Sequence, residues 1–325
     1  MYMRVFRFGF VACALTLGSC GGGGSESTNP IAVVPGPVAT PSPAPSPAPS
    51  PTFNYTSFDL SQDRVFAGQV ATGITIERYT SNTAPFYSIE AQDALLQTNR
   101  GALELSFGAS KSLVTRLGGE AVSFGPADVQ FSNSDGITWR RTRDATRRGE
   151  AMTFSRYPNA QYIYNAVQEI SEDVTEPNKP SAIRDTKQYF LVGERTREGD
   201  APTTSVTNYT VMLDTTLVGR NRGGGFTVSG GMLTVDQSSG TVSAKLSATQ
   251  ASYPSGATPE SATLVFNGTV SSSGIAGSIS SPDGSYTGAF NGDLFGPGAS
   301  EAGLVFTLRR PDGVRAAGRL IGRRL

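Results

Sequence analysis

Histidine is absent from the 325-residue sequence, and the two cysteines, Cys13 and Cys20, both lie within the first twenty residues. Without imidazole, and without a thiol in the main body of the chain, no Ser-His-Asp triad, Cys-His pair or Cys and His zinc site can form. Charge is also sparse, because only 17% of residues are charged and 27 basic residues balance 27 acidic ones. Such a chain has no strong field to attract nucleic acid. We therefore expect a protein that is not an enzyme, with no metal, no cofactor and no nucleic-acid partner.

Long apolar runs are also missing, and the one at the N-terminus is short. Two arginines precede residues 8–17, which give about ten apolar positions. A membrane-spanning helix needs roughly twenty apolar residues, so this run cannot stay in a bilayer. The pattern is typical of a signal peptide over residues 1–19.

Residues 17–20 read LGSC and resemble the bacterial lipobox, in which the cysteine is acylated and the signal is removed in front of it. The resemblance implies lipidation of Cys20 by several acyl chains, which is enough for stable anchoring in a membrane. The absence of Asp directly after Cys20 resembles the pattern of proteins sent to the outer membrane, on either its periplasmic or its extracellular face. The alternative is an ordinary secretory signal with Cys20 just beyond the cut.

Residues 20–52 have the composition of a tether. Four glycines follow Cys20, and residues 30–51 contain nine of the twenty prolines. A proline-rich tract favours extended polyproline at about 3.1 Å per residue, so this one could reach roughly 70 Å. We predict a disordered, lipid-anchored linker; a ligand for a proline-binding domain is the alternative.

From residue 53 onward, Thr, Ser, Val, Phe and Tyr recur with turn signals every eight to twelve residues, which predicts an all-β protein. The sequences at residues 133–136, 282–284 and 311–313 are predicted to close hairpins. Glycine is much denser after residue 193 than over residues 53–182. We therefore predict a β-rich subdomain over residues 53–182 and a second subdomain over residues 183–325.

The second subdomain has the alternation of half-buried strands. Apolar and polar residues alternate through residues 242–249 and 314–323, and about eight strands follow residue 187. A closed antiparallel barrel of this size must fill its interior with side chains, so the apolar set is expected inside. Lys245 and Arg319 are then predicted to point to water, which describes a small soluble barrel rather than a porin.

Residues 288–303 read GAFNGDLFGPGASEAG and resemble the signature of the transferrin-binding protein B β-barrel family, G-x-F-x-G-x-F-Y-G-P-x-A-x-E-x-G-G. The departures are Leu294-Phe295 in place of the aromatic pair and Leu304 in place of the second glycine. From the residues alone, the segment is interpreted as structural, with Glu301 capping or pairing where the chain turns back.

The resemblance implies a handle-like first subdomain, the barrel after it, and a surface or outer-membrane lipoprotein that binds a partner. Relatives in this family bind host iron carriers, haem proteins or complement regulators. Nothing in residues 53–182 matches the loops that contact transferrin in the family, so transferrin is not predicted as the partner. The lack of histidine excludes a His-ligated haem, while tyrosine ligation stays open.

One charged cluster stands beside the only tryptophan. Arginine and tryptophan are typical of interface hot spots, so we predict a candidate interface here. The alternative is a solvated hairpin whose charges meet the acids of residues 169–176. The residues concerned are Trp139, Arg140, Arg141, Arg143, Arg147 and Arg148.

The sequence therefore predicts a lipid-anchored outer-membrane or surface protein that binds an unidentified protein or solute without catalysis. A lipocalin-like small-ligand carrier is one alternative, and an open barrel interior would favour it. A structural envelope lipoprotein is a second, distinguished by a partner from the same cell. A carboxylate-based hydrolase is the least favoured reading, because no pair of acids stands out by its spacing.

Overall fold

The computed structural model describes residues 53–325, apart from residues 81–86, 92–102, 118–119, 144–147, 177–178, 203–204, 220–221, 251–259 and 272–273. The predicted signal peptide and the whole predicted tether, with Cys20, lie outside the described residues. Among the residues that are described, no helix is both long enough and apolar enough to cross a membrane.

The first half of the described chain forms one antiparallel sheet. Its strand order is β5-β4-β3-β1-β10-β9-β8-β7-β6, with β2 paired to the far part of β1. The ten strands are β1 (Arg64–Thr80), β2 (Tyr87–Ala91), β3 (Leu103–Gly108), β4 (Ser112–Leu117), β5 (Glu120–Phe124), β6 (Val129–Asn133), β7 (Gly136–Arg143), β8 (Arg148–Arg156), β9 (Ile163–Glu176) and β10 (Lys179–Gly193).

This first sheet curls over its own apolar face. Trp139 on β7 packs against Phe107 on β3 and Phe124 on β5, with ring centroids 6.4 Å apart in both pairs. The Trp139 side chain is fully buried, and its indole N–H donates to the Lys111 carbonyl at 2.8 Å. Strands from opposite ends of the strand order therefore share one core, in which aromatic rings supply much of the buried area.

The second half forms a closed barrel of eight antiparallel strands, as the alternation predicted. Its strands pair in chain order, and β11 returns to β19 from the Tyr209–Arg324 pair to the Val218–Arg315 pair; short β12 extends β11. The elements are β11 (Val206–Gly219), β12 (Arg222–Gly224), β13 (Phe226–Asp236), β14 (Thr241–Gln250), β15 (Glu260–Ser271), β16 (Gly274–Ser280), β17 (Thr287–Phe295), β18 (Glu301–Arg309) and β19 (Arg315–Arg324).

Side chains fill the interior of the barrel. Phe266 lies 5.5 Å from Phe290 and 5.9 Å from Phe306, measured between ring centroids, and all three are buried. Room for the Phe290 ring comes from Gly268 and Gly277, where an added Cβ would lie 2.7 and 2.5 Å from the Phe290 Cζ atom. The interior is therefore a packed core, as a small barrel requires.

The three predicted turns each connect neighbouring strands. In the β6–β7 hairpin, the amides of Asp135 and Gly136 both donate to the Asn133 side chain at 2.9 Å, which is the local bonding that asparagine supplies in turns. Residues 282–284 join β16 to β17, and residues 311–313 join β18 to β19.

Strand β10 stays in the first sheet as far as Gly193, and the first barrel strand, β11, begins at Val206. One sequence expectation differs from the structure. Arg319 was predicted to point to water but has 0% exposure. The reason is that the first sheet covers the barrel wall at this strand. Residues from both parts pack there: Tyr157, Ala160, Ile163, Tyr189, Leu191, Phe295, Val305, Ala317 and Ile321.

Candidate binding site at the junction of the two sheets

Glu301 joins the barrel to the first sheet. It is the first residue of β18, is 3% exposed, and accepts three backbone N–H bonds from the chain that leads into β9. The donors are Gln161 at 2.6 Å and Tyr162 and Ile163 at 3.0 Å each. Three orphan amides at the start of a strand are thus satisfied by one carboxylate from the other sheet.

Burial raises the pKa of the Glu301 carboxyl above its usual value. The three backbone N–H groups and the charge of Arg323, its cross-strand neighbour on β19, act in the opposite direction. Desolvation is the larger effect here, because the carboxylate lies between two protein surfaces rather than in water.

Gly296 makes the turn that brings Glu301 to this place. Its φ of 71° lies in the left-handed region, and an added Cβ would lie 2.3 Å from the Tyr162 ring. The Gly296 amide donates to the Glu194 carbonyl at 2.8 Å, and its own carbonyl accepts from the Thr196 hydroxyl at 2.9 Å. Only glycine fits this conformation and this close approach together. The segment that resembles the family signature therefore connects the barrel to the first sheet.

Arg319 makes a second connection. Its Nη1 donates to the carbonyls of Ala166 at 3.1 Å and Phe190 at 3.2 Å. Its Nη2 donates to Asn165 at 2.6 Å and to the carboxylate of Asp214. The guanidinium also lies between two aromatic rings, 5.3 Å from the centroid of Tyr157 and 5.2 Å from that of Tyr189. A buried cation with this many partners fixes the two sheets against each other.

The chain enters the fold at the same junction. Tyr55 donates its hydroxyl to Asp200 at 2.6 Å and accepts the amide N–H of Arg197 at 2.9 Å. The same Asp200 carboxylate accepts the amide of Gly298 at 3.1 Å, and the Tyr55 ring packs edge-on against Tyr162. The first residues after the predicted tether are therefore bonded to the junction.

An open cleft of about 750 Å³ lies at this junction. Its walls include three arginines, Arg156 at the end of β8 and Arg323 and Arg324 at the end of β19, together with the buried Glu301. All three arginines are exposed. The hydroxyl of Ser300, also in the wall, is buried without a hydrogen-bond partner. Concave shape and converging cations are features of a ligand site.

The structure places the residues of the predicted arginine interface in different environments. The Trp139 side chain belongs to the core and offers no surface to a partner. Arg140 is exposed, whereas Arg141 is bonded inside the sheet. Residues 144–147, with Arg147, lie outside the described part of the chain, and for the strand residues at 143 and 148 only the backbone is described. As an interface, the arginines stay a prediction.

Sequence reasoning missed the partner of Arg141. Glu150 is 1% exposed and accepts from Arg141 Nε at 3.0 Å, Arg141 Nη2 at 2.7 Å and Gln168 Nε2 at 3.1 Å. The Arg141 guanidinium lies 4.6 Å from the Phe124 ring centroid. The sequence analysis offered the acids of residues 169–176 as partners of these arginines, whereas the structure pairs Arg141 directly with Glu150 across β7 and β8.

Together, the described residues form a two-part all-β protein in which buried charged side chains connect a filled barrel to a curled sheet.

No protein-family model and no curated protein matches the sequence. Solved structures similar to this one include transferrin-binding protein B of Haemophilus parasuis, in a double-mutant form. The two are 18% identical, the match covers 77% of this chain and 45% of that chain, and the TM-score is 0.40.

Two other similar structures belong to related binding proteins. The N-lobe of lactoferrin-binding protein B of Moraxella bovis is 14% identical, with 58% of this chain and 80% of that chain covered and a TM-score of 0.33. Transferrin-binding protein B of serogroup B Neisseria meningitidis is 10% identical, with 82% and 77% covered and a TM-score of 0.32. The chain spans less than half the length of the Haemophilus parasuis chain.

Proposed function

We propose that this chain is a lipid-anchored, non-catalytic binding protein of the outer membrane that holds its partner on its outer surface. The observation that carries the proposal is the filled barrel. Phe266, Phe290 and Phe306 occupy the interior that a small-ligand carrier would leave open. The segment at residues 288–303 also supports a binding protein with its partner on the outer surface. Its hydrogen bonds connect the barrel to the first sheet, so this segment is used for structure and the outer surfaces stay free.

The anchor is tested by a pair of cysteine variants. Cys20→Ser removes the thiol that would be acylated, whereas Cys13→Ser changes the other cysteine of the predicted signal and is the control. We expect an acyl label in the wild type and in Cys13→Ser, but not in Cys20→Ser, which should also leave the membrane fraction. Equal labelling of both variants would contradict the anchor.

The partner is proposed to be acidic where it meets the β7–β8 hairpin. Arg140 is exposed there, and long-range attraction by exposed arginines depends on the ionic strength. The test is capture by a double variant, Arg140→Ser with Arg143→Ser. Arg141 is left in place because its loss would remove two hydrogen bonds from buried Glu150. Arg309→Ser, an exposed arginine on the barrel, is the control.

We expect the double variant to lose the captured partner and the Arg309→Ser control to keep it. Unchanged capture by the double variant would remove the hairpin from the proposal. A partner encoded by the same cell would favour a structural envelope lipoprotein instead of a receptor for an external protein.

A further inference from the structure

Three arginines and one acidic side chain, Glu301, lie in the wall of the junction cleft. In the described part of the chain, none of Arg156, Arg323 and Arg324 forms an ion pair. Arg324 Nη1 donates to the Gly298 carbonyl at 3.2 Å, which leaves its other N–H groups for another acceptor. The acid in the wall, Glu301, already uses both oxygens to accept three backbone N–H groups.

A smaller hollow with both polar and apolar walls lies beside the cleft. It has a volume of about 300 Å³ and shares two wall residues with the cleft, Asn159 and Arg323. Its other walls include Met212 and Val211 on β11 and Ile321 on β19. Arg323 therefore lines both the cleft and the hollow.

We propose that the cleft and the hollow together bind a small amphiphilic oxyanion, with a carboxylate or phosphate head between the arginines and a short apolar chain against Met212, which is partly buried. The guanidinium group suits this role because its planar N–H donors match the oxygen pairs of carboxylates and phosphates. A volume of about 750 Å³ lies within the roughly 300–1,000 Å³ of small-molecule sites.

This site is independent of the proposed surface interaction, because it needs neither the anchor nor the β7–β8 hairpin. Failure of one proposal therefore leaves the other standing. The two also differ in chemistry, since the hairpin would meet a macromolecule and the cleft a small molecule.

The affinity test uses the full chain in detergent and calorimetric titration with hexyl phosphate and with hexanoate. Inorganic phosphate and hexanol supply the head and the apolar chain alone, and a titration into detergent alone is the blank. We expect hexyl phosphate to bind at least tenfold more tightly than either inorganic phosphate or hexanol. Equal binding of hexyl phosphate and inorganic phosphate would overturn the amphiphile, and no binding of either anion would overturn the site.

Variants then place the ligand. Arg156→Gln and Arg323→Gln should each weaken hexyl phosphate at least tenfold, while Arg309→Gln, at the opposite end of β18 from the cleft, should change it less than twofold. Circular dichroism confirms that each variant is folded. Unchanged affinity in both cleft variants would contradict the assignment.

A second measurement needs no substitution. Phenylglyoxal modifies accessible arginines, and peptide mass spectrometry reports the extent at each one. Hexyl phosphate should protect Arg156 and Arg323 in the wild-type chain and leave Arg309 unprotected. Equal protection at all three positions would indicate a general ionic effect and would overturn the site.

Discussion

Arg319 gives the sharpest test of how the two sheets are joined. Arg319→Met keeps an unbranched side chain of similar length but removes the charge and every donor. The change leaves Asn165 and the carbonyls of Ala166 and Phe190 without this donor, in a place where the arginine is fully buried. Removing one partner from a buried ion pair typically costs about 3–5 kcal/mol. Because the Asp214 side chain is 39% exposed and can regain water, we expect the lower end, about 3 kcal/mol.

The assay is urea unfolding of the full chain, followed by circular dichroism and by tryptophan fluorescence. Trp139 is the only tryptophan and lies in the core of the first sheet, so fluorescence reports that sheet while circular dichroism reports both. The wild type should unfold with coincident transitions, and Arg319→Met should unfold earlier, with the fluorescence transition shifted away from the circular dichroism transition. Arg309→Met is the exposed control and should stay within about 0.5 kcal/mol of the wild type. Two results together would refute the role given to Arg319: coincident fluorescence and circular dichroism transitions in Arg319→Met, and a free energy of unfolding within about 0.5 kcal/mol of the wild type.

Three further outcomes follow from the packing and the buried polar groups. Gly268→Ala should cost about 1–3 kcal/mol in chemical denaturation, because its Cβ would lie 2.7 Å from Phe290, whereas Gly230→Ala, with nothing within 4 Å, should cost almost nothing; equal values would contradict the crowding. Burial raises the pKa of Tyr209 to about 12, so the folded state holds this proton more tightly and loses stability as the pH rises from 10 to 12. Tyr209→Phe should lose less free energy of unfolding between pH 10 and pH 12 than the wild type. If the two proteins lose the same amount over that interval, Tyr209 is not the group responsible. Glu301→Ala leaves three backbone amides without their acceptor and should lower the free energy of unfolding by about 3 kcal/mol, while a thermal midpoint equal to the wild type would show that water replaces the carboxylate.

The barrel could be predicted from the sequence because its signal is local. Alternation of apolar and polar residues along each strand defines an inner and an outer face, and a small closed barrel must fill the inner one. Residues 242–249 follow this pattern in the structure, with every second side chain buried. The turns were predictable for the same reason, since Asn133 bonds to amides two and three residues further on.

The junction could not be predicted, because it depends on contacts between residues far apart in the chain. Arg319 lies on the outer face of its strand, as the alternation says, and is buried only because β9 and β10 cover that part of the wall. Glu301 was expected to cap or pair locally, yet its donors lie about 140 residues earlier. Trp139 was placed in an interface by composition, whereas the curl of the first sheet buries it.

The point where the chain enters the fold has a mechanical consequence. A pull applied from the N-terminal side is resisted first by the side-chain bonds of Tyr55 and by the Asn54 carbonyl, which accepts from Arg197 at 2.9 Å. These contacts lie ahead of β1 and outside both strand ladders, so they can break before any strand pairing is lost. Phe58 belongs to the core of the first sheet, so only residues 53–57 ahead of it are free to extend, which would add about 17–18 Å of chain. The molecule thus carries a short reserve of length that absorbs tension before any strand is loaded.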